Sequence, residues 1–231
     1  MILFRGRRSE AGSVAESDPT FGLVQMIPRS LAVQTKVSVE LMEDSLNLVT
    51  ELPRVLAAAM AVELDRVSLL GTGTAPQPRG IANTSGIGTF AQDAMIASYA
   101  NLSKARTAIM TANNGPVSAF VMAPRDEGSF TDLVDSNGNP LGMHPNIAAI
   151  PMLTTTSIPV DGGTGSDEST IIAGNFSRLL VGIRSDIRVE VLKTTAYTDN
   201  LQYTLLAHMR ADVAVTQPGA FYTLTGVGQA A

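Results

Sequence analysis

The sequence predicts an α+β fold, and three observations support this class. A single long apolar stripe predicts one rod-like helix over about residues 50–70. Alternating apolar and polar residues predict a run of strands in the second half of the chain, the longest over residues 201–215. The order of elements, which is a hairpin, the rod-like helix, a mixed layer and then the strands, is an α+β arrangement.

The first thirty residues have little apolar material to bury. Residues 1–20 are polar and rich in turn formers, and residues 21–28 alternate loosely, like a strand. Together they predict a projecting hairpin, which would be only marginally stable alone in water and therefore needs a partner surface. Residues 31–39 alternate cleanly and predict a half-buried strand with the odd-numbered residues on one face.

The long helix has the clearest pattern in the chain. Apolar residues at spacings of four and three predict one stripe, formed by Leu48, Leu52, Val55, Ala59 and Val62. Pro53 is tolerable because it falls within the first turn. Gly71 is expected to end the helix as a C-terminal glycine does. Residues 71–88 are rich in Gly, Pro, Thr and Asn and predict a loop and a domain boundary.

The remaining elements follow from periodicity and from turn residues. A second helix is predicted over residues 94–112, and a short helix is predicted to begin at Pro124. The almost wholly apolar residues 117–123 predict a strand that is covered on both faces. Residues 141–160 are expected to be irregular. The later strands are predicted over residues 171–174, 179–183, 187–192, 201–215 and 220–224, with a bend or bulge in the longest.

Composition narrows the possible partners. Charged residues make up 16% of the 231, against roughly 25% in a typical soluble domain, which favours either a surface covered by neighbouring subunits or a compact, weakly charged monomer. The net charge of -5 argues against a nucleic-acid binder, and the one basic cluster is Arg5, Arg7 and Arg8. No run is long and apolar enough to predict a membrane span. We therefore expect a soluble protein made in the cytoplasm.

Possible catalytic or ligand motifs are weak. The Gly71-Thr72-Gly73 run follows a helix instead of a strand, and residues 162–166 have only the composition of a phosphate loop. Residues 135–138 are better explained as a polar turn than as a calcium loop. His144 and His208 have no metal-ligand spacing, and there is no cysteine. We expect no catalytic residues, metal or cofactor, and no enzyme activity.

Several stretches in order resemble one known family, the major capsid proteins of tailed bacteriophages with the Hong Kong 97-type fold. The first two are residues 16–21 continuing to 36–45, and Leu64-Asp65-Arg66-Val67-Ser68-Leu69-Leu70-Gly71-Thr72-Gly73 followed by Gln77-Pro78-Arg79-Gly80-Ile81. The others are Ala123-Pro124-Arg125-Asp126, residues 135–141, Gly174-Asn175-Phe176-Ser177, residues 210–215 and Pro218-Gly219-Ala220-Phe221. The resemblance covers nearly the whole chain.

The resemblance implies a division of the chain. Residues 1–30 would form an extended loop over a neighbouring subunit, and residues 227–231 a tail. A peripheral domain would comprise residues 31–80 and 177–211, with the spine helix at about 50–70, and an axial domain would comprise residues 81–176 and 212–226. Expected interface residues in the extended loop are Arg7, Arg8, Glu10, Glu16, Asp18 and Phe21. Expected residues at the capsomer centre are Asn139, Pro140, His144 and Asn146.

The resemblance also implies the partners. Such subunits form pentamers and hexamers of an icosahedral shell that encloses double-stranded DNA without specific binding, with portal, scaffold or decoration proteins as further partners. They are made in the bacterial host cytoplasm and reside in the virion. The family's N-terminal scaffolding segment and arm are missing here, so the sequence is a fragment, a shortened or prophage-derived reading frame, or a cleaved product. Val14 stands where some relatives have a cross-linking lysine, which predicts no covalent linkage.

Two alternatives stay open. An encapsulin, which is a bacterial nanocompartment shell protein of the same fold, would enclose a protein cargo. A small α/β enzyme could use residues 71–80 to hold a phosphate ligand. The Pro-x-Gly-Ile motif at Pro78 and the extended loop favour the phage protein over the encapsulin.

Overall fold

A computed structural model describes residues 22–45, 47–193, 197 and 200–228. Within them the chain forms a mixed α+β fold, as predicted. The elements in order are β1 (Arg29–Ser38), α1 (Val39–Asp44), α2 (Leu48–Leu70), β2 (Gly88–Met95), α3 (Ala100–Thr111), β3 (Ala119–Met122), α4 (Pro124–Thr131), α5 (Pro145–Ala148), β4 (Met152–Thr154), β5 (Ser169–Gly174), β6 (Leu179–Leu192), β7 (Gln202–Val215) and β8 (Phe221–Gly228).

Two sheets organise these elements. The first is antiparallel, with strand order β1-β7-β6, and α2 packs on one of its faces. The second is mixed, with order β2-β8-β5-β3-β4. Apolar cores lie on both faces of the second sheet, because alternate residues of β3 and β5 belong to different clusters. The prediction that the apolar strand near residue 120 is covered on both faces is therefore confirmed.

Helix α2 begins and ends within two residues of the prediction, but the predicted buried face is wrong. The observed stripe contains Leu56 and Met60, which are 7% and 2% exposed. Val55 and Val62 are 61% and 57% exposed. The predicted and the observed rows share Leu48 and Leu52, which pack on the core. After Leu52 the two rows diverge by about a third of a helical turn. The larger side chains occupy the buried row because they fill more of the space above the sheet.

Gly71 follows α2 but does not end it in the predicted way. Its φ is -54°, so the left-handed conformation of a C-terminal glycine is absent. The position instead requires glycine because its backbone lies against that of Gly80, whose amide donates to the Gly71 carbonyl oxygen at 2.9 Å. A Cβ on either residue would collide with main-chain atoms of the other segment.

Other boundaries also differ from the prediction, and residues 141–160, which were expected to be irregular, contain α5 and β4. Residues 22–28 have no regular structure, although residues 21–28 were expected to form a strand. Residues 88–95 form β2, and the second helix starts only at residue 100, because β2 pairs in parallel with the distant β8. Strand β6 is continuous across residues 184–186, where the prediction had a break. The bulge expected in the longest strand, β7, is found in its partner instead, because the register shifts at Ile183/Ser185 and Ser185/Arg188 place the extra residues in β6. Strand β8 extends through residues 227 and 228, which the predicted tail included.

Two of the three cores are linked through α2. Its middle packs on the first sheet, and Leu69 near its end belongs to a cluster with Ile81, Ile172 and Phe221 of the second sheet. Strand β7 continues in the first sheet through residue 215, beyond the predicted boundary at residue 211. The assignment of these halves as peripheral and axial domains stays a prediction.

Candidate subunit interface

The described base of the N-terminal segment, residues 22–28, lies on the body without entering its cores. Leu23 is 92% exposed and Ile27 is 58% exposed. The segment touches the first sheet at a few points, including Met26 over Gly182. The predicted interface residues Arg7, Arg8, Glu10, Glu16, Asp18 and Phe21 lie outside the described residues.

A buried carboxylate fixes this base to the body. The Ile27 amide donates to Asp212 Oδ2 at 2.5 Å, and the Val213 amide donates to Asp212 Oδ1 at 2.8 Å. Arg210 on the same strand donates to the Pro28 carbonyl oxygen at 3.3 Å. Strand β7 thus holds the point at which the N-terminal segment leaves the body.

The face of the first sheet opposite α2 is here called the basic face. Its charged side chains in the described strands are the basic Lys36, Arg188 and Arg210 and the acidic Glu190 and Asp212, which leaves a net positive charge. The strand register places Arg188 opposite His208, and His208 opposite Ala32. Among the residues that the structure describes, no ion pair involves the basic face. The Nδ1 atom of His208 is buried there and has no hydrogen-bond partner in the described part of the chain. This face can accept an acidic partner.

Apolar surface is exposed along the start of β6, which is an edge strand. Leu180, Val181 and Ile183 are 45%, 47% and 54% exposed. A mainly apolar groove of about 300 Å³ separates Val181 from Leu153 on β4, which is also an edge strand. Uncovered edges with apolar side chains pair readily with other chains. The long helix adds a second exposed apolar row through Val55 and Val62.

The predicted capsomer-centre residues lie in two adjoining turns, and all four are exposed. Asn139 and Pro140 belong to a tight turn in which Gly138 has a φ of +79°. His144 caps α5 by accepting a bond at Nδ1 from the Asn146 amide, 3.3 Å away. The Tyr99 hydroxyl lies 2.9 Å from the Phe130 carbonyl oxygen and 3.2 Å from that of Leu141, which ties the base of this loop to the core.

Asp135 organises the first of these turns. Its Oδ1 accepts from the amides of Asn137 and Asn139 at 2.8 and 2.9 Å. The hydrogen bonds from Asn139, first from its backbone and then from its side chain, lower the pKa of the Asp135 carboxyl, and the Asn137 amide adds to this effect. The carboxylate is satisfied by its own turn, which supports the prediction of a polar turn over a calcium loop.

A buried polar network holds the second sheet together, and its residues are far apart in the sequence. Arg125 donates to the carbonyl oxygens of Val160, Asp167 and Val227 at 3.1, 2.7 and 3.0 Å. It also donates to Asp126, which is 1% exposed and accepts from the Ser169 hydroxyl at 2.6 Å. An arginine in the first turn of a helix, where acidic residues are favoured, was the available signal.

The glycine-rich loops are shaped for packing, not for holding an anion. Backbone contact between Gly71 and Gly80 fills the first loop. In the second, the Glu168 carboxylate lies over Gly163, where a phosphate would have to approach. Within the described residues there is no group of three or more potential metal-ligating His, Cys, Asp or Glu side chains. The helices of that same part of the chain include none that could cross a membrane.

The fold is that of proteins that form shells. The capsid of an empty GTA particle has a TM-score of 0.76 at 20% identity, over 97% of this chain and 81% of that one. A structure described as Mycobacterium phage Ogopogo has a TM-score of 0.72 at 13% identity, over 96% and 83% of the two chains. The holo-SrpI encapsulin complex from Synechococcus elongatus PCC 7942 has a TM-score of 0.66 at 11% identity, over 87% and 75%.

The sequence assigns the family within this class. Residues 6–226 match the model of the phage capsid family, so the chain belongs to that family and is a capsid shell protein with the Hong Kong 97-like fold. The curated proteins include no match to it. The family prediction made from the sequence motifs is confirmed.

Proposed function

We propose that copies of this chain assemble into the pentamers and hexamers of an icosahedral phage shell that encloses double-stranded DNA. The observation that carries the proposal is the amount of apolar and loosely packed surface that a single copy leaves exposed. Residues 22–28 lie outside every core of the described chain, and β6 exposes an apolar edge. Burial of such surface against another copy is strongly favourable, at roughly 25 cal/mol per Å² of apolar area.

In the proposed shell, the N-terminal segment of one copy lies over the basic face of a neighbour. Charge complementarity supports this contact for residues 10–18 alone, because Glu10, Glu16 and Asp18 are acidic and no Lys or Arg stands between them. Arg7 and Arg8 would lie beyond the basic face, and Phe21 would complete the contact on the same segment. Asn139, Pro140, His144 and Asn146 would meet their copies around the centre of each capsomer.

Electron microscopy and sedimentation of the purified protein test the assembly directly. We expect closed shells or five- and six-membered rings at micromolar concentration, and a protein that stays monomeric under all assembly conditions would contradict the proposal. Arg188→Glu should reduce assembly by reversing charge on the basic face. Arg54→Glu, an equally exposed change on α2, is the matched control. Equal assembly of both variants would remove the basic face from the interface.

An encapsulin-type nanocompartment is the second candidate, because an encapsulin is among the similar structures. The contents of isolated particles distinguish the two functions. Nuclease-protected DNA supports the phage shell, whereas a packaged protein and no DNA supports the nanocompartment. A phosphate-binding enzyme is the remote third candidate, and a nucleotide-dependent rise in melting temperature would be needed to favour it.

The remaining partners and the location follow the same proposal. The protein would be made in the host cytoplasm, become part of the virion, and meet portal, scaffold or decoration proteins there. Because Val14 replaces the cross-linking lysine, shells heated in denaturant should yield single chains on a gel. A ladder of linked subunits would contradict this expectation.

A further inference from the structure

Asp212 is a buried acid whose hydrogen bonds link two distant parts of the chain. It is 8% exposed, and none of the ion pairs within the described residues involves it. A buried charge is costly unless its oxygens accept hydrogen bonds. One oxygen accepts from the next residue, Val213, and the other accepts from Ile27, which is 185 positions away. The first bond joins neighbouring residues of β7. Only the second bond attaches another part of the chain to the strand.

The segment that Asp212 holds has few other attachments to the body. Residues 22–25 are exposed, and residues 22–28 pair with no strand. The side chain of Met26 rests on Gly182, and the Pro28 carbonyl oxygen accepts from Arg210 at the longer distance of 3.3 Å. Ordering a loosely packed backbone carries an entropic cost that these contacts must offset. The short, charge-assisted bond to Asp212 is therefore the main restraint on the direction of the segment.

We infer that Asp212 is a positioning residue for assembly: it fixes the direction in which the N-terminal segment leaves the body, so that the segment meets a neighbouring copy. This inference rests on the proposed shell function. Fixing the exit before assembly reduces the ordering that the contact itself must supply, which strengthens binding without adding a contact. The role requires a carboxylate, because each oxygen accepts from a different amide and an asparagine could accept at only one of them.

Hydrogen exchange on the unassembled subunit tests the restraint separately from assembly. In Asp212→Asn, the Ile27 amide, which donates to Asp212 in the parent chain, should exchange roughly tenfold to hundredfold faster, as expected for loss of a charge-assisted hydrogen bond. Asp186→Asn, an exposed acid on β6, is the matched control and should leave exchange of that amide unchanged. Unchanged exchange in Asp212→Asn with a folded body would overturn the inference.

A second variant removes the donor instead of the acceptor. Ile27→Pro lacks the amide hydrogen but lies outside the described cores, so the body should fold even if Asp212→Asn does not. It should make residues 22–26 a faster target of limited proteolysis than in the parent chain, as should Asp212→Asn, and an unchanged cleavage rate in that segment would overturn the inference.

Assembly is then measured for the same variants. Slower or incomplete shell formation in Ile27→Pro, with an unchanged melting temperature of the body, supports the positioning role, whereas normal assembly with a released segment overturns it. If the parent chain forms no shells under any condition, the proposed function fails, while the exchange experiment still decides whether Asp212 restrains the segment.

Discussion

Replacing Arg125 with alanine should be among the most damaging single changes in the second sheet. The Arg125 side chain is 19% exposed. Its guanidinium donates to the carbonyl oxygens of Val160, Asp167 and Val227 and to the carboxylate of Asp126. The alanine variant would leave Asp126, at 1% exposure, as a buried charge without its cation. Removal of one partner of a buried ion pair typically costs about 3–5 kcal/mol. We expect a loss of that size in the free energy of unfolding.

Urea unfolding of the unassembled subunit, monitored by circular dichroism, measures this loss. The dependence of the unfolding free energy on urea concentration should be the same in the parent and the variant. Arg54→Ala is the matched control, because the side chains of Arg54 and its partner Glu51 are 75% and 55% exposed. Exposed pairs of this kind contribute only about 0.3–0.5 kcal/mol. An Arg125→Ala loss within about 1 kcal/mol of the control would refute the reasoning.

A double variant tests the cause of the loss. Arg125→Met combined with Asp126→Asn removes the cation and the charge that it balances. Because the uncompensated charge is then absent, the double variant should be more stable than Arg125→Ala. A double variant no more stable than Arg125→Ala would mean that the hydrogen bonds to the carbonyl oxygens, which both variants lack, account for the loss.

Three further predictions concern the helix, a loop and a turn. Leu56→Ala should cost about 2–5 kcal/mol in urea unfolding, whereas Val55→Ala should change stability by about 0.5 kcal/mol or less, and equal losses would contradict the observed helix face. Gly80→Ala should cost about 1–3 kcal/mol because a Cβ meets backbone, while Gly128→Ala, with open space in α4, should stabilise by about 0.5–1 kcal/mol in thermal unfolding. The lowered pKa of Asp135 means that its stabilisation is present above its ordinary pKa of 3.8 and is lost as pH falls below it, so Asp135→Asn should flatten this part of the acid dependence of unfolding. An acid dependence identical to that of the parent would contradict this assignment.

Local periodicity was sufficient to predict most elements of the fold, but it did not determine the buried face of α2. Two apolar rows share Leu48 and Leu52, and a single copy buries only one of them. A chain that builds a shell has reasons to be apolar on more than one face, so an apolar row is not proof of a core. The presence of Leu and Met in one row, against Val and Ala in the other, was the usable difference.

Besides the short α1, α5 and β4, the missed element is β2, which depends on a distant partner. Strand β2 contains Gln92 and Asp93 and has little strand character, and its pairing comes from β8 more than 120 residues later. The roles of Asp212 and Arg125 likewise arise from contacts across the chain. The motifs around both residues were noticed as family resemblances, but their hydrogen-bond partners could be identified only from the structure.

The position of α2 in two cores has a mechanical consequence. Its 23 residues form a rod of about 34 Å. Leu56 and Met60 pack against the first sheet, and Leu69 packs against the second. A tilt of about 5° about Met60 would move Leu69, about 14 Å along the helix, by about 1 Å, which close-packed side chains do not tolerate without rearranging. The two sheets must therefore move together as one rigid body. In the proposed shell, adjustment to different curvatures would then fall to the loosely packed outlying segments, such as residues 22–28.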